Sequence, residues 1–360
     1  MAQYPFLANA FLQALEDSGS INADTGWEPC HIDLHKNSPD HVFMPLYVKT
    51  HSYGEYVFDW VWANAYERKG LPYYPKLLSA IPFSPATGPR LRNDNGCLST
   101  GDPGKKILAQ IKMVAEQTRA SGWHLLFPDE HTRKLFVDQD LMERSGVQFH
   151  WFNRGYENFD HFLAGFVSRK RKMVRKERRS IAAQNLSTTM LRGPEISSDL
   201  WLFFYGLYQN TYLKRSGTDG YLTREFFLQI GETMAEQIAM AIAYDGDNPV
   251  ACALYLFDDE TLFGRYWGCI REYDHLHFEL CYYQGIDFAI ANGLKKFDAG
   301  AQGEHKLLRG FEPVETYSLH WIRHPGFAEA IAQFIEQEGI ENARYMAQAR
   351  SVLPYRNESD

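Results

Sequence analysis

Apolar and polar positions follow two rhythms along this 360-residue chain, and the rhythm switches many times. A 3.6-residue rhythm predicts helices over 4–17, 53–69, 104–121, 130–144, 158–184, 199–215, 223–235, 280–292 and 326–349. Short apolar or alternating runs predict strands over 31–35, 42–50, 76–82, 123–127, 147–153, 187–192, 237–245, 250–258, 261–269, 296–301 and 316–322. Ser52-Tyr53-Gly54-Glu55 has the spacing of a capping box for the helix over 53–69, which Lys69, Gly70 and Pro72 close. Turns at Asp245-Gly246-Asp247 and Asp258-Asp259-Glu260 join the strands of 237–269 into an antiparallel meander. The chain is expected to be α/β (α+β). Two domains are expected, 1–155 and 156–360, each a mixed, mainly antiparallel sheet flanked by helices.

Composition narrows the class. Hydrophobic residues at 45% and charged residues at 23% are ordinary for a soluble globular protein, while 15% aromatics allow an aromatic-lined groove besides the cores. No apolar run approaches the ~20 residues of a membrane span. Met1–Glu16 lacks a basic segment followed by a long apolar one, so a cytoplasmic location is expected. Cys30, Cys97, Cys252, Cys269 and Cys281 form no CxxC pair and read as free thiols of a reducing compartment. A net charge of −8 confines any nucleic-acid contact to a local patch. The chain has no GxxxxGK[ST], Rossmann glycine pattern, HExxH or GxSxG, which leaves ATP-driven ligation, hydride transfer and serine hydrolysis without support.

Five stretches carry chemistry. Gly300-Ala301-Gln302-Gly303-Glu304-His305-Lys306-Leu307-Leu308-Arg309-Gly310-Phe311 follows a predicted strand and gathers an acid, an imidazole and two cations on a glycine-flanked turn. Glu304 or His305 is the candidate base there, and Lys306 and Arg309 are the candidates to hold an oxyanion or a donor phosphate. In His275-Leu276-His277-Phe278-Glu279, strand alternation would put His275, His277 and Glu279 on one face. That is a metal-ligand set, but a polar strand face or a helix-terminal Glu explains it better, so no metal is expected. Glu279 is kept as a cleft residue, with Tyr282 and Tyr283 beside it. In Gly264-Arg265-Tyr266-Trp267, Arg265 and Trp267 would share a strand face suited to a planar or anionic group. Residues 168–180 form an amphipathic helix with Val174 and Ile181 on its apolar stripe. Its dense basic face includes Arg175 and Arg179 and suits phosphates, tRNA among them. Finally, His51, Glu55 and Asp59 interrupt the aromatic run of 51–62, with Lys76 following. The aromatics read as core, and the polar residues as a network or an acceptor groove.

The stretches KTHSYGEYVFDWVWANAYERKGLPYYPKLLSAIPFSPATGPRL, GRYWGC, LHFELCYYQGIDFAI and GAQGEHKLLRGF resemble the bacterial FemAB-like predicted N-acyltransferases of the GNAT superfamily. The element order of the second half is similar to the GNAT fold. The resemblance implies two tandem GNAT-like domains. It also implies transfer of an acyl or aminoacyl group to an amine, such as that of a peptidoglycan precursor or peptide. No tightly bound cofactor is implied; acyl-CoA or aminoacyl-tRNA would serve as donor. Fem aminoacyltransferases carry a basic helix, which 169–179 resembles, and a donor-side basic residue before Gly-Phe, matched here by Lys306 or Arg309. On this reading Glu304, His305 and Lys306 are catalytic. Arg309, Arg265, Trp267, Tyr283, Arg175 and Arg179 face the donor, and His51, Glu55, Asp59, Lys76 and Glu279 the acceptor. One departure stands out. The pyrophosphate-gripping loop of acetyl-CoA-using GNAT enzymes is glycine-rich, yet no glycine lies between Cys269 and Tyr282. A degenerate module that binds cell-wall peptide or RNA without turnover is the alternative.

Overall fold

Fourteen strands and eleven α-helices alternate along the described residues of the computed structural model, which are 4–35, 41–93, 102–301 and 303–356. The strands are β1 Trp27–Pro29, β2 Ile32–Leu34, β3 Val42–Met44, β4 Tyr47–Lys49, β5 Lys76–Ser79, β6 Arg92–Asn93, β7 Gly122–Leu126, β8 Met142–Phe152, β9 Leu186–Arg192, β10 Ile238–Asp245, β11 Asn248–Phe257, β12 Thr261–Cys269, β13 Lys296–Asp298 and β14 Glu312–Ile322. The helices are α1 Asn9–Asp17, α2 Trp60–Arg68, α3 Pro103–Thr118, α4 Glu130–Lys134, α5 Phe159–Ala164, α6 Ser168–Ala183, α7 Ser198–Ser216, α8 Arg224–Thr233, α9 Leu276–Phe278, α10 Gln284–Ala291 and α11 Pro325–Ser351.

These elements pack into two compact units. Unit I comprises Met1–Ser18, Gln148–Val314 and Met346–Asp360; unit II comprises Gly19–Val147 and Glu315–Tyr345. A contiguous division at 155 does not describe this arrangement, because each unit borrows chain from beyond the other. In unit I the strand order is β8-β13-β12-β11-β10-β9, antiparallel except for the β12–β13 pair. In unit II it is β1-β4-β5-β7-β14, antiparallel except for β5–β7, with a small β2-β3-β6 sheet besides. The meander read at 237–269 is β10–β12. Its β10 and β11 are apolar on both faces because helices cover both sides of this sheet. Side-chain caps start the helices: Ser197 Oγ accepts from Leu200 N at 3.3 Å and Thr223 Oγ1 from Phe226 N at 3.2 Å.

Four local expectations change for tertiary reasons. The helix expected from 53 starts only at Trp60, and the Ser52 capping box does not form. Residues 53–59 turn their carboxylates inward instead, with Gly54 and Tyr56 at φ +81° and +64°. The single helix over 158–184 breaks between α5 and α6, where the chain end pairs with it: Val167 N donates to Pro354 O at 2.8 Å and Arg356 N to Gly165 O at 2.9 Å. The helix over 130–144 stops at Lys134, and 142–152 is strand. His275 to Glu279 is not a strand: His275 is left-handed, α9 follows, and Glu279–Tyr283 is a π-helical turn. The 275, 277 and 279 side chains therefore share no strand face.

Candidate functional site

In unit I, β12 pairs with β13 only from Thr261↔Lys296 to Phe263↔Asp298. It then runs on to Cys269 with no strand on that side among the described residues. β13 ends at Asp298, and along the rest of β12 Gly264 O accepts from Arg265 Nη1 at 2.8 Å and Trp267 O from Thr211 Oγ1 at 3.1 Å. A bulge sits just past the end of the pairing. Leu254 faces Tyr266 and Tyr255 faces Gly264, so Arg265 is the extra residue. The bulge breaks the alternation expected for Arg265 and Trp267. Arg265 reaches back to Asp298, Nη2 to Oδ2 at 2.9 Å, while the Trp267 ring lies 5.3 Å from that of His277. Both Arg265 and Asp298 side chains are buried. Burial opposes the Asp298 charge, but Arg265 and His150 outweigh it and hold the carboxyl well below the usual carboxylate range. Asp298 also accepts from Gly300 N at 2.9 Å, which fixes the start of the loop that follows.

That loop returns as a short 3-10 turn, Glu304–Arg309, between Gly303 and Gly310 in positive-φ conformations. A side chain at Gly303 would meet the His305 ring at 2.6 Å, so glycine lets the imidazole fold back over the loop. Lys306 is buried and donates from Nζ to Gly300 O at 2.6 Å. Burial lowers its ammonium to about 8, with Asp298 opposing. His305 is exposed, and its Nε2 lies 2.7 Å from the Tyr282 hydroxyl. Burial, Arg309 and Lys306 all lower the His305 pKa, so its imidazole is neutral near pH 7. Glu304 is exposed at the first position of the turn, and Gln302 lies outside the described residues.

Two expected donor-side residues are committed elsewhere. Arg309 is buried, with Nη2 on Glu177 Oε1 at 2.7 Å, Nε on Glu177 Oε2 at 3.1 Å and Nη1 on His305 O at 2.8 Å. Its guanidinium also stacks on Phe278, 3.4 Å from the ring centre. Tyr283 gives its hydroxyl hydrogen to Glu177 and accepts from Arg309 Nε at 3.0 Å. Arg309 and Tyr283 thus close a buried ion-pair knot. Consecutive residues of a helical turn point in different directions, so Tyr282 reaches His305 and Tyr283 reaches Glu177. Glu279, expected on the acceptor side, is buried in unit I against Arg178 at 2.9 Å and Gln284 at 2.8 Å. On α6, Arg175 is exposed and bonds Asp160 at 2.7 Å, and Arg179 is exposed.

The remaining acceptor-side candidates meet in unit II. Lys76 Nζ donates to Ser52 Oγ at 2.8 Å, to Glu55 Oε2 at 2.7 Å and to Asp59. Asp59 also accepts from Tyr73 at 2.6 Å; beyond Tyr73 lie His124, whose Nδ1 is 2.8 Å from His320 Nδ1, and Ser318. Lys49 lies 3.9 Å from Glu55 Oε1 and 3.9 Å over the Trp27 ring. His51 is half-buried and bonds Thr25 O at 3.0 Å. One ammonium cannot hold two buried carboxylates equally. Burial opposes the Asp59 charge, but Lys76 keeps Asp59 well below the usual range. Burial pushes Glu55 up to about 7 despite Lys76.

The sign of the Glu55 shift gives a testable pH dependence. A carboxyl raised on folding makes the native state bind more protons, so this stabilisation is complete below about 4.5 and is lost as pH rises through about 7. Glu55→Gln removes the titration. Urea unfolding of both proteins at pH 5 and 7.5 is expected to show the variant gaining on the wild type by about 2 kcal/mol at the higher pH.

Sequence reasoning missed Glu177, Asp298, His124, His320 and Lys49. Only Glu177 left a mark: it is the one acid in the basic run 169–179, three residues after Val174 and four before Ile181, which places it on the apolar stripe. Among the described residues no group of three His, Cys, Asp or Glu is arranged to hold a metal ion, and no helix is long and apolar enough to cross a membrane.

Comparison with known proteins places this geometry. A search of curated protein sequences returns no match. The crystal structure of FemX is similar over 92% of this chain and 95% of its own, at 11% identity and a TM-score of 0.52. L-PGS from Bacillus licheniformis is similar over 90% of this chain and 96% of its own, at 10% identity and a TM-score of 0.52. At these identities the likeness shows the fold alone, a mixed α/β arrangement with a large, mostly antiparallel sheet flanked by helices. The FemAB-like family model, described as peptidoglycan biosynthesis/recognition, matches residues 1–357. The chain belongs to the FemAB-like family.

Proposed function

We propose that unit I transfers an acyl or aminoacyl group from an activated donor, acyl-CoA or aminoacyl-tRNA, to an amine of a peptidoglycan precursor or peptide. The observation that carries this reading is the end of the β12–β13 pairing at Phe263 and Asp298, with the His305–Tyr282 pair and Lys306 on the loop that follows β13. An extended donor fits along the unpaired edge of β12 as an added strand would, and its carbonyl is then held by backbone donors. The acceptor amine attacks the acyl carbon, the C–N bond forms, and the donor's C–O or C–S bond breaks. The amine proton enters the Tyr282–His305 pair and returns to the departing oxygen or sulfur, so the pair ends as it began. Holding both substrates in one complex contributes proximity worth about 7–11 kcal/mol of barrier.

Since Glu177 occupies Arg309, the donor's phosphates fall to exposed cations: Arg215 at the end of α7, and Arg175 and Arg179 on α6, where tRNA would lie. Lys306 is the better match to the donor-side basic residue before Gly310-Phe311. Glu55, Asp59 and Lys76 hold residues 52–59 of unit II in shape rather than touch substrate. Such donors are made in the cytoplasm, where we place the reaction. Recognition without turnover is the second reading, favoured by the glycine-free π-helical turn where a phosphate-gripping loop would stand. Incubating the protein with an amine-bearing muropeptide and a panel of acyl-CoAs and charged tRNAs decides between them. New amide product is expected with at least one donor; muropeptide binding without product across the panel supports recognition alone.

A further inference from the structure

His277 of unit I lies against both members of the Tyr282–His305 pair and has no bond of its own. Its ring stands edge-on to Trp267 of β12 at 5.3 Å, to Tyr282 at 5.4 Å and to His305 at 5.9 Å. Neither ring nitrogen has a hydrogen-bond partner among the described residues, and neither is sealed from solvent, so a bound molecule can reach them. The backbone that carries the ring is fixed. His275 is left-handed at φ +62°, and Glu279 N donates to His275 O at 3.0 Å. Gln184 of α6 holds Asp274 from both sides of its amide: Nε2 donates to Asp274 O at 3.0 Å, and Oε1 accepts from Asp274 N at 3.0 Å. A half-buried imidazole placed this firmly gives up water to three rings and gains no hydrogen bond from the fold.

We infer, resting on the transfer reading above, that His277 is a further catalytic residue of this site: it donates an imidazole N–H to the acyl oxygen while the Tyr282–His305 pair takes the amine proton. The two imidazole centres are 5.9 Å apart, so one bound substrate touches both. Charge decides which role His277 takes. Around it stand Trp267 of β12, Tyr282 of its own turn, Arg215 of α7, and His305, Lys306 and Arg309 of the returning loop. Glu279, the acid nearest in sequence, is taken up by Arg178. Burial, and after it His305, Arg215, Lys306 and Arg309, lower the His277 pKa to about 3. A base must become a cation here, against that positive surround; a donor stays neutral and keeps its proton. The same surround favours the negative oxygen that forms when the amine adds to the acyl carbon. As the C–O or C–S bond breaks, that oxygen returns to a carbonyl, and His277 ends with the N–H it began with.

Steady-state kinetics of the full chain between pH 5 and 8, with the amine-bearing muropeptide and whichever donor of the panel yields amide, test this on His277→Phe and His277→Gln. Phenylalanine keeps the ring packing and removes the donor; glutamine restores an N–H. In His277→Phe, kcat is expected to fall by ~10²-fold or more while KM changes by no more than about threefold. His277→Gln should recover to within about tenfold of the wild type. Because His277 stays neutral, both variants should leave the acid limb of kcat/KM in place. Long-range proton–nitrogen NMR of the wild type, which needs no variant to fold, should show the His277 ring neutral throughout this pH range. An unchanged kcat in His277→Phe overturns the role, as does His277→Gln as slow as His277→Phe. A displaced acid limb in either variant, or a His277 that titrates near 6.5, overturns it too. A wild type that makes no amide with any donor ends the transfer reading and this role with it. Amide made equally fast by His277→Phe removes His277 alone.

Discussion

Lys76→Met is expected to destabilise the protein by about 3–5 kcal/mol, lowering Tm by roughly 10 °C. Lys76 is fully buried, and Ser52, Glu55 and Asp59 all depend on its ammonium. Methionine fills much the same volume, so packing loss contributes little. The cost comes from two carboxyls left in the core without their cation, of which Asp59 is the charged one. Adding Asp59→Asn and Glu55→Gln to Lys76→Met removes those charges, and most of the stability should return. Thermal and urea unfolding of the single and triple variants measure both effects. A triple variant no more stable than the single one would show that the cluster acts through shape and not charge.

The second large effect is catalytic. His305→Ala and Tyr282→Phe are each expected to lower the transfer rate by ~10²-fold or more, with little change in stability for the exposed His305. On the proposed relay across their 2.7 Å hydrogen bond, the double variant should lose scarcely more than either single one. The pH profile carries a separate signature. Burial and the nearby Arg309 and Lys306 lower the His305 pKa, so the acid limb of kcat/KM should lie below the ordinary histidine value of about 6.5. His305→Ala should abolish that limb. Rates unchanged in both single variants would remove the pair from the mechanism.

The stability and catalytic predictions concern different units, and they differ in how far the residues could be read in advance. His305 and Lys306 stand in a run whose glycines, acid and cations lie side by side, so local spacing was enough to nominate them. Arg309 and Tyr283 were nominated on the same grounds and went elsewhere, because Glu177 reaches them from 132 and 106 residues away. No local rule orders two adjacent tyrosines. Their partners did so, His305 for Tyr282 and Glu177 for Tyr283. In unit II the sequence showed carboxylates among aromatics but not which set faces water, since that depends on Lys76, His124 and His320 arriving from other strands.

By itself, then, the sequence determined the alternation of elements, the meander of β10–β12, the amphipathic basic helix, and the motif stretches that mark the family. All of these rest on short-range periodicity or contiguous residues. Tertiary structure alone decided where helices stop, as at residues 53–59 and 165–167, how the chain is shared between two units, and which polar side chains are consumed in buried pairs. Those outcomes depend on charges and backbone groups that meet only after folding. A buried ion must be matched by whatever partner the fold brings to it, however distant in the chain.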